Sequence, residues 1–260
     1  MRLRGFAPGT PCWVELASAD PARSADFYTR LFGWETAGDR FTLGGEAVAG
    51  FTSVHAERPV GWMTYLTEHN VEASLLRVQE AGGSVVSPPA DANGGRSAVI
   101  ADPAGARLGI WEPRGFTGAQ VGGEAGTMTF PELLSDDAVA AAKFYGQAFG
   151  WLLRDEFGSD GTRGEWITTA HDAMAGLAPS RGGSWWRAAF HVADCVETLE
   201  DARAYGATVV SRARDLGFGT YAELLDPAGV PFSIASPAAI PIELTMSITR
   251  SRGMELTFGG

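Results

Sequence analysis

The sequence of 260 residues is poor in the residue types that build disulfide frameworks and metal sites. It has two cysteines, Cys12 and Cys195, which are too few and too far apart to indicate either feature. Its four histidines form no His-x-x-x-His pair, a spacing that places two metal ligands on one helix face. The sequence therefore predicts no metal ion and no other cofactor.

Positive charge is also scarce, since 20 basic residues face 31 acidic ones and the net charge is −11. A protein that binds a nucleic-acid backbone needs a basic surface, so a nucleic-acid partner is not expected. No uninterrupted apolar run reaches the roughly 18 residues of a membrane-spanning helix, and residues 1–13 lack the apolar core of a secretory signal. These absences predict a cytoplasmic protein without a membrane partner.

The most informative feature that is present is an internal repeat. The segment FYTRLFGW at residues 27–34 returns as FYGQAFGW at residues 144–151, and the segment DPAG at residues 102–105 returns unchanged at residues 226–229. A repeat of this length predicts two similar structural modules. We place the first module at residues 1–113, a glycine-rich linker at 114–126, the second module at 127–239 and a C-terminal extension at 240–260.

Local signals give each module a strand, a helix and further strands. Residues 12–18 alternate as a strand does, and Asp20 followed by Pro21 is typical of a helix start. Gly33 marks the end of that helix, and Asn70 is expected to cap a second one. In the C-terminal extension, apolar residues alternate between residues 242 and 248, which fits an edge strand or a frayed tail.

The pattern W-V-E-L-A-S-A-D-P-A, followed by F-Y-x-x-L-F-G-W-E, A-V-A-G-F and A-D-P-A-G-A, resembles the vicinal oxygen chelate superfamily. This superfamily contains glyoxalases, extradiol dioxygenases and bleomycin resistance proteins. The resemblance covers both modules and implies an α+β fold of tandem βαβββ modules whose curled mixed sheets form cups. It does not imply one reaction, because a fold serves many chemistries.

In the metal-dependent enzymes of that superfamily, a His or Gln on the first strand and a Glu on the last strand bind a divalent ion. The resemblance places the first ligand at Trp13 and Phe130, and the Glu at Gly109 and Ser233. The further His of the dioxygenases would fall near Trp62 or Arg187. None of these side chains is an ordinary ligand of a divalent ion, so the expected cups hold no metal.

Strand alternation then predicts what fills the two cups, because every second residue of a strand faces the same way. Aromatic walls with a few polar groups are typical of a small-molecule pocket. The predicted ligand-binding residues are Trp13, Trp62, Thr64, Trp111, Phe130, Trp185 and Arg187. The candidate catalytic residues are Glu15, Glu132 and His191.

Each candidate also has a structural interpretation. Glu15 and Glu132 occupy equivalent positions, which fits a shared structural role as well as an acid–base role. The tryptophans can also be core residues, and His191 an ordinary exposed or core histidine. Arg187 is suited to bind a carboxylate or phenolate, or to pair with Glu132.

Two hypotheses follow for the function. The first is metal-independent binding of a small, flat, apolar or phenolic molecule by a monomer or homodimer, in the sequestration or biosynthesis of a natural product. The second is an oxygenase, isomerase or lyase in which Glu15 or Glu132 transfers protons. A third interpretation is a housekeeping protein in which one module has lost its ligand.

Overall fold

The structure, a computed structural model, describes residues 1–54, 60–92, 94–155, 164–167, 173–216 and 219–237. The C-terminal extension at residues 240–260 lies outside these described residues. None of the helices in the described ranges is long and apolar enough to cross a membrane.

The first module contains two copies of a strand–helix–three-strand unit. The elements of its first unit are β1 (Pro11–Ser18), α1 (Pro21–Phe32), β2 (Glu35–Ala37), β3 (Arg40–Leu43) and β4 (Glu46–Ser53). Those of its second unit are β5 (Gly61–Thr67), α2 (Val71–Glu80), β6 (Ser84–Ala92), β7 (Gly95–Ala101) and β8 (Arg107–Pro113).

The second module repeats this order with two interrupted strands, because Ala188 divides the first strand of its second unit and residues 210–213 divide the strand after the helix of that unit. Its first unit consists of β9 (Glu132–Ser135), α3 (Ala138–Phe149), β10 (Leu152–Asp155), β11 (Gly164–Ile167) and β12 (Ala173–Pro179). Its second unit consists of β13 (Trp185–Arg187), β14 (Ala189–His191), α4 (Cys195–Ala204), β15 (Thr208–Val209), β16 (Arg214–Asp215), β17 (Gly219–Leu225) and β18 (Pro231–Pro237). The predicted α+β fold of tandem βαβββ modules is confirmed.

The helix boundaries follow from the capping residues that the sequence provides. The side chain of Asp20 accepts a hydrogen bond from the backbone N–H of Arg23 at the start of α1, and Asp137 does the same at the start of α3. Both helices end at a glycine in the left-handed conformation, Gly33 at φ 68° and Gly150 at φ 72°. A side chain with a Cβ is strained in that conformation, which explains glycine at both positions.

The strands of the first module form one eight-stranded mixed sheet in the order β2-β3-β4-β1-β5-β8-β7-β6. The second module has two sheets, in the orders β10-β11-β12-β9-β13 and β14-β18-β17-β15, with β16 paired to β17. In each module the strands of the first and second units meet side by side at the centre. We call the concave surface there the first cup in the first module and the second cup in the second module.

Two of the three hydrophobic cores among the described residues contain side chains from both modules, while the third takes its side chains from the first module and the linker alone. One shared core joins the first unit of the first module, including Phe27 and Phe41, to the second unit of the second module, including Phe190 and Phe232. The other shared core joins α2 and its strands to α3 and its strands. Since each shared core takes residues from both modules, the two modules stabilise each other.

A matching pair of buried hydrogen-bonded trios connects the modules across these cores. The hydroxyl of Tyr28 in α1 donates to Asp226 at 3.1 Å and accepts from the indole of Trp62 at 2.9 Å. In the other core Tyr145 donates to Asp102 at 3.1 Å and accepts from Trp186 at 2.8 Å. Burial raises the pKa of Asp226 and Asp102, despite the backbone N–H groups that stabilise the carboxylates. The DPAG turns therefore anchor each module to the other.

The predicted linker at residues 114–126 is packed against the first module over much of its length. The backbone N–H of Ala119 donates to the carbonyl of Cys12, and the side chain of Gln120 accepts from the backbone N–H of Ala47. Val121 is buried within one of the shared cores. The glycine content indicates a chain that turns often, and in the structure the segment alternates between exposed and buried residues.

Candidate functional site

The strand register determines which predicted residues face the first cup. In β1 and β5, Glu15 lies opposite Met63 and Trp13 lies opposite Tyr65, so these four side chains share the concave face. Leu16 lies opposite Trp62 on the other face.

Trp62 and Thr64 were expected in the first cup, but the register places both on the other face of β5, where Trp62 borders a different cavity. Trp62 is buried in a shared core, where its indole binds Tyr28. Thr64 is also buried on that face, opposite Val14, and no residue in the described ranges gives its hydroxyl a hydrogen-bond partner. The predicted alternation of side chains along β5 agrees with the structure, but the residues assigned to the cup were shifted by one position.

The first cup contains a cavity of about 340 Å³. Trp13 and Trp111 form its walls, with Phe116 between them, because the ring of Phe116 packs edge-on against Trp13 at 4.9 Å and against Trp111 at 6.1 Å. The indole of Trp111 donates to the carbonyl of Phe116 at 2.7 Å, which holds residues 114–116 over the cup. Arg40 covers the ring of Phe116, with its guanidinium carbon 3.9 Å from the ring centroid.

A carboxyl group and a phenol lie together in this cavity. The hydroxyl of Tyr65 donates a hydrogen bond to Glu15 at 2.8 Å, and both residues line the cavity. Gly50 lies opposite Glu15 in β4, and its missing side chain leaves room for Glu15 and for the indole of Trp13. The pair can bind a polar group of a ligand, since a carboxylate accepts hydrogen bonds and a phenol donates and accepts them.

Glu15 also borders a second cavity of about 290 Å³, where the two modules meet. Met63 and Arg107 contribute to this junction cavity from the first module, and Trp185 contributes from β13 of the second module. Trp185 and Trp186 point in opposite directions, as neighbours in a strand do. Trp186 belongs to the shared core and Trp185 does not, but both border the cavity.

The second cup has a different arrangement at the equivalent position. Arg187 lies opposite Glu132, where the first cup has Met63 opposite Glu15. Arg187 is 4% exposed, and its guanidinium binds Glu132 at 2.8 Å, the hydroxyl of Tyr221 at 2.6 Å and Glu223 at 3.3 Å. Tyr221 also donates a hydrogen bond to Glu132, and Arg214 binds Glu223 at 3.1 Å.

The charges of this network determine the protonation of its members. Burial alone lowers the pKa of Arg187, but Glu132, Tyr221 and Glu223 more than offset that effect and raise the pKa above its usual value. Burial raises the pKa of Tyr221, and Glu132 adds to the rise. Arg187 therefore stays a cation and Tyr221 a neutral hydrogen-bond donor. The network is a buried ion cluster that holds β9, β13 and β17 together.

A cavity of about 260 Å³ lies above this network, and Phe130 stands at its edge with 47% of its surface exposed. His191 faces the same side of the sheet, opposite Ala235, but does not line the cavity. Burial lowers the pKa of His191, so its imidazole is neutral at pH 7. The structure thus brings Phe130 and Glu132 together at one cavity and leaves His191 outside it.

The donor groups of neither cup fit a divalent metal ion. The position that the resemblance assigns to a metal-binding Glu in the first cup is Gly109, and a Cβ there would overlap the ring of Tyr65. In the second cup the oxygen of Glu132 already accepts from Arg187 and Tyr221. Within the described ranges, no three His, Cys, Asp or Glu side chains lie close enough together to hold an ion. No step that uses a metal ion is derived from these residues.

Sequence reasoning missed Met63, Tyr65 and Phe116. Met63 and Tyr65 were missed because the wrong face of β5 was assigned to the cup. The repeat could have corrected this, because Trp186 follows Trp62 by 124 residues, the same spacing that separates Asp226 from Asp102. Trp62 is therefore equivalent to Trp186 and not to its neighbour Arg187, which was assigned to the second cup. Phe116 carries no local signal, because it reaches the cup only through the path of residues 114–126.

Comparisons with known proteins agree with this architecture. A sequence model of the glyoxalase/bleomycin resistance protein/dioxygenase superfamily matches residues 12–110, and a model of the glyoxalase-like domain matches residues 132–235. The chain is 35% identical to the anthracycline biosynthesis protein DauV of Streptomyces sp. (strain C5), over 90% of this chain and 97% of that protein. It is 34% identical to the anthracycline biosynthesis protein DnrV of Streptomyces peucetius, over 88% of this chain and 94% of that protein.

Among solved structures, the Mn(II)-bound glyoxalase from Novosphingobium aromaticivorans has a TM-score of 0.65 with this chain at 16% identity. The match covers 88% of this chain and 82% of the glyoxalase, and at that identity it shows the fold alone. The two matched modules and the long alignments with DauV and DnrV show the family. The chain belongs to the glyoxalase/bleomycin resistance protein/dioxygenase superfamily.

Proposed function

We propose that the first cup binds a small, flat aromatic molecule with a phenolic hydroxyl, and that it does so without a metal ion. The proposal rests on one observation, the Glu15–Tyr65 pair in a cavity walled by Trp13, Trp111 and Phe116. Flat rings pack well against aromatic side chains, face to face or edge-on. A phenolic hydroxyl placed at Glu15 would donate a hydrogen bond to its carboxylate.

The relatives support a role with natural products, since both are called anthracycline biosynthesis proteins and anthracyclines are polycyclic aromatic compounds. We therefore propose that the ligand is an aromatic natural product or an intermediate in its synthesis. The protein would deliver, protect or sequester it in the cytoplasm. Glu15 lines both the cavity of about 340 Å³ and the junction cavity, so a ligand longer than the cup would extend past Glu15 toward Arg107 and Trp185.

The experiment is a binding titration of EDTA-treated protein with 2-hydroxyanthraquinone and with unsubstituted anthraquinone, followed by tryptophan fluorescence and calorimetry. We expect the hydroxylated compound to bind more tightly, and Glu15→Gln to reduce that difference. Phe116→Ala should weaken binding of both compounds about tenfold, because an aromatic contact and the apolar area that it buries contribute roughly 1.4 kcal/mol.

The matched control is Phe130→Ala, which removes the same ring from the second cup. It should leave the affinity for 2-hydroxyanthraquinone unchanged. If Phe130→Ala weakens binding and Phe116→Ala does not, the site belongs to the second cup and the assignment is wrong. Binding that disappears with EDTA and returns with Mn²⁺ would contradict metal independence, and an absence of binding would contradict the function itself.

A second candidate function is proton transfer by the same pair. Glu15 lies 2.8 Å from the hydroxyl of Tyr65 inside a cavity large enough for a bicyclic substrate. A carboxylate in this position can remove a proton from a carbon next to a carbonyl, and a phenol can donate a hydrogen bond to the enolate oxygen. Glu132 is less suited to that role, since Arg187 and Tyr221 already bind its oxygen.

Deuterium exchange tests this candidate. The α protons of 1-tetralone, a flat bicyclic ketone, would exchange faster in D₂O with the protein than without it, as followed by ¹H NMR. Glu15→Gln should abolish the acceleration, and Tyr65→Phe should reduce it. An unchanged exchange rate in Glu15→Gln would remove Glu15 as the base.

A further inference from the structure

We propose that the second cup is a separate binding site for a compact, uncharged aliphatic molecule, which differs in shape and chemistry from the ligand of the first cup. Its cavity of about 260 Å³ has a mostly apolar lining that includes Ala175, Leu177 and Leu216, with Glu132 and Glu165 among its polar residues. The only rings at this cavity within the described ranges belong to Phe130 and Tyr221. The described lining therefore offers a flat ligand fewer aromatic surfaces than the first cup does.

The differences between the cups include two equivalent positions at which the second cup lacks an aromatic side chain. Ala189 lies opposite Ser233, as Tyr65 lies opposite Gly109 in the first cup. Ala235 lies opposite Tyr221 in the last strand pair, as Trp111 lies opposite Ser97. Tyr221 fills part of the space that Ser97 leaves open, and the second cavity is the smaller one, at about 260 Å³ against about 340 Å³. A ligand of the second cup therefore meets alanine where a ligand of the first cup meets a tyrosine and a tryptophan, which favours a compact aliphatic molecule over a flat aromatic one.

The ion network below the cavity selects for an uncharged ligand. The charges that the described residues bring there are already in ion pairs, Arg187 with Glu132, Arg214 with Glu223 and Arg154 with Glu165. A charged ligand would lose its hydration in the cup and would have to compete with these existing pairs, which is costly in an apolar environment. A neutral hydroxyl or carbonyl loses less hydration, and Thr129 brings to the cavity a hydroxyl group that can donate or accept a hydrogen bond.

The experiment uses three cage compounds of one shape and different charge: 1-adamantanol, 1-adamantanecarboxylate and 1-adamantanamine. Calorimetry with the full chain should detect binding of 1-adamantanol and affinities at least tenfold lower for the two ions. Saturation with 2-hydroxyanthraquinone should leave the affinity for 1-adamantanol unchanged, because the two ligands occupy different cups.

Two variants locate the site. Ala235→Trp introduces the side chain that the first cup has at this position and should abolish binding of 1-adamantanol. Since a larger side chain can also impair folding, Phe130→Ala serves as the second variant. Phe130 is half exposed, so its loss should leave the fold intact and weaken binding several-fold.

Four outcomes would overturn the proposal. They are no binding of 1-adamantanol up to its solubility, equal affinity for the neutral and charged compounds, binding unaffected by both variants in folded protein, and competition with 2-hydroxyanthraquinone. A failure here would not affect the proposed function of the first cup, because the two sites are tested with different ligands and different variants.

Discussion

The buried ion cluster of the second cup leads to a strong prediction about stability. Replacing Arg187 with Met removes the cation that binds Glu132, Tyr221 and Glu223. Methionine is the matched choice, because Met63 occupies the equivalent strand position in the first module. The substitution keeps a long unbranched side chain in β13, so its effect reports the charge and the hydrogen bonds.

The magnitude follows from the burial of the cluster. Arg187 is 4% exposed, and its removal leaves two carboxyl groups close together without the cation between them. Removing one partner of a buried ion pair costs about 3–5 kcal/mol, much more than removing an exposed one. For a protein of this size each kcal/mol lowers Tm by about 2–4 °C, which gives a fall of roughly 6–20 °C.

The assay is urea unfolding at neutral pH, followed by circular dichroism and by tryptophan fluorescence. Arg214→Met is the control, because Arg214 binds the same Glu223 but is 42% exposed. Exposed ion pairs contribute about 0–1 kcal/mol, so Arg214→Met should change the free energy of unfolding by no more than that. If Arg187→Met costs less than about 1 kcal/mol, or no more than Arg214→Met, the cluster does not stabilise the protein as argued.

Three further predictions concern single positions. Gly109→Ala should displace the ring of Tyr65, lower the free energy of unfolding by about 1–3 kcal/mol and weaken binding of 2-hydroxyanthraquinone, as measured by thermal unfolding and calorimetry. Thr64→Val should raise the free energy of unfolding by about 1 kcal/mol without changing ligand binding, because it removes a buried hydroxyl that has no partner in the described ranges. Burial raises the pKa of the Asp226 carboxyl above its ordinary 3.8, so the folded state binds a proton at this carboxyl more tightly than the unfolded state does. The stability of the wild-type protein should therefore fall as the pH rises from 3.8 through the folded-state pKa. Asp226→Asn does not titrate, so its stability relative to wild type should increase with pH over that window in urea unfolding.

The results that would contradict these predictions are equally specific. Unchanged ligand affinity in Gly109→Ala would mean that Tyr65 does not shape the first cup. A less stable Thr64→Val would mean that the hydroxyl has a partner. A stability difference between Asp226→Asn and wild type that is constant with pH would mean that the pKa of Asp226 does not differ between the folded and unfolded states.

Much of the fold could be predicted because its signals are local. Asp20, Pro21 and Gly33 lie within a few residues of the groups they cap or terminate, so the sequence alone identifies the helix. The repeat strengthens each signal by showing it twice, and the structure has Asp137 and Gly150 in the same roles. Strand positions followed in the same way from alternation and from the DPAG turns.

The cup residues were harder to predict, because strand alternation identifies two faces without telling which one is concave. A shift of one residue moves every side chain of β5 to the other face, and it exchanged Met63 and Tyr65 for Trp62 and Thr64. The preference of large aromatic residues for the core would have favoured Trp62 on the buried face. The roles of the predicted site residues remain predictions that the binding experiments test.

The sharing of cores between modules has no local signal at all. Tyr28 and Asp226 are 198 positions apart, and nothing near either residue indicates that they form a hydrogen bond. The repeat suggests that each copy folds on itself, whereas each copy contributes half of two cores. Contacts of this kind depend on the complete arrangement of four helices, which the sequence pattern of one module does not contain.

The shared cores help to explain how the two cups can differ while the two modules keep the same fold. The residues that hold the modules together, such as Tyr28 and Tyr145, lie on the helix side of the sheets, and the cup residues lie on the opposite side. A substitution in a cup therefore leaves the contacts between modules in place. In the first cup Glu15 lies beside Tyr65 in a cavity with aromatic walls. In the second cup Glu132 lies beside Arg187, below a cavity that has alanines at two of the equivalent wall positions. The same framework thus supports two pockets of different chemistry within one chain.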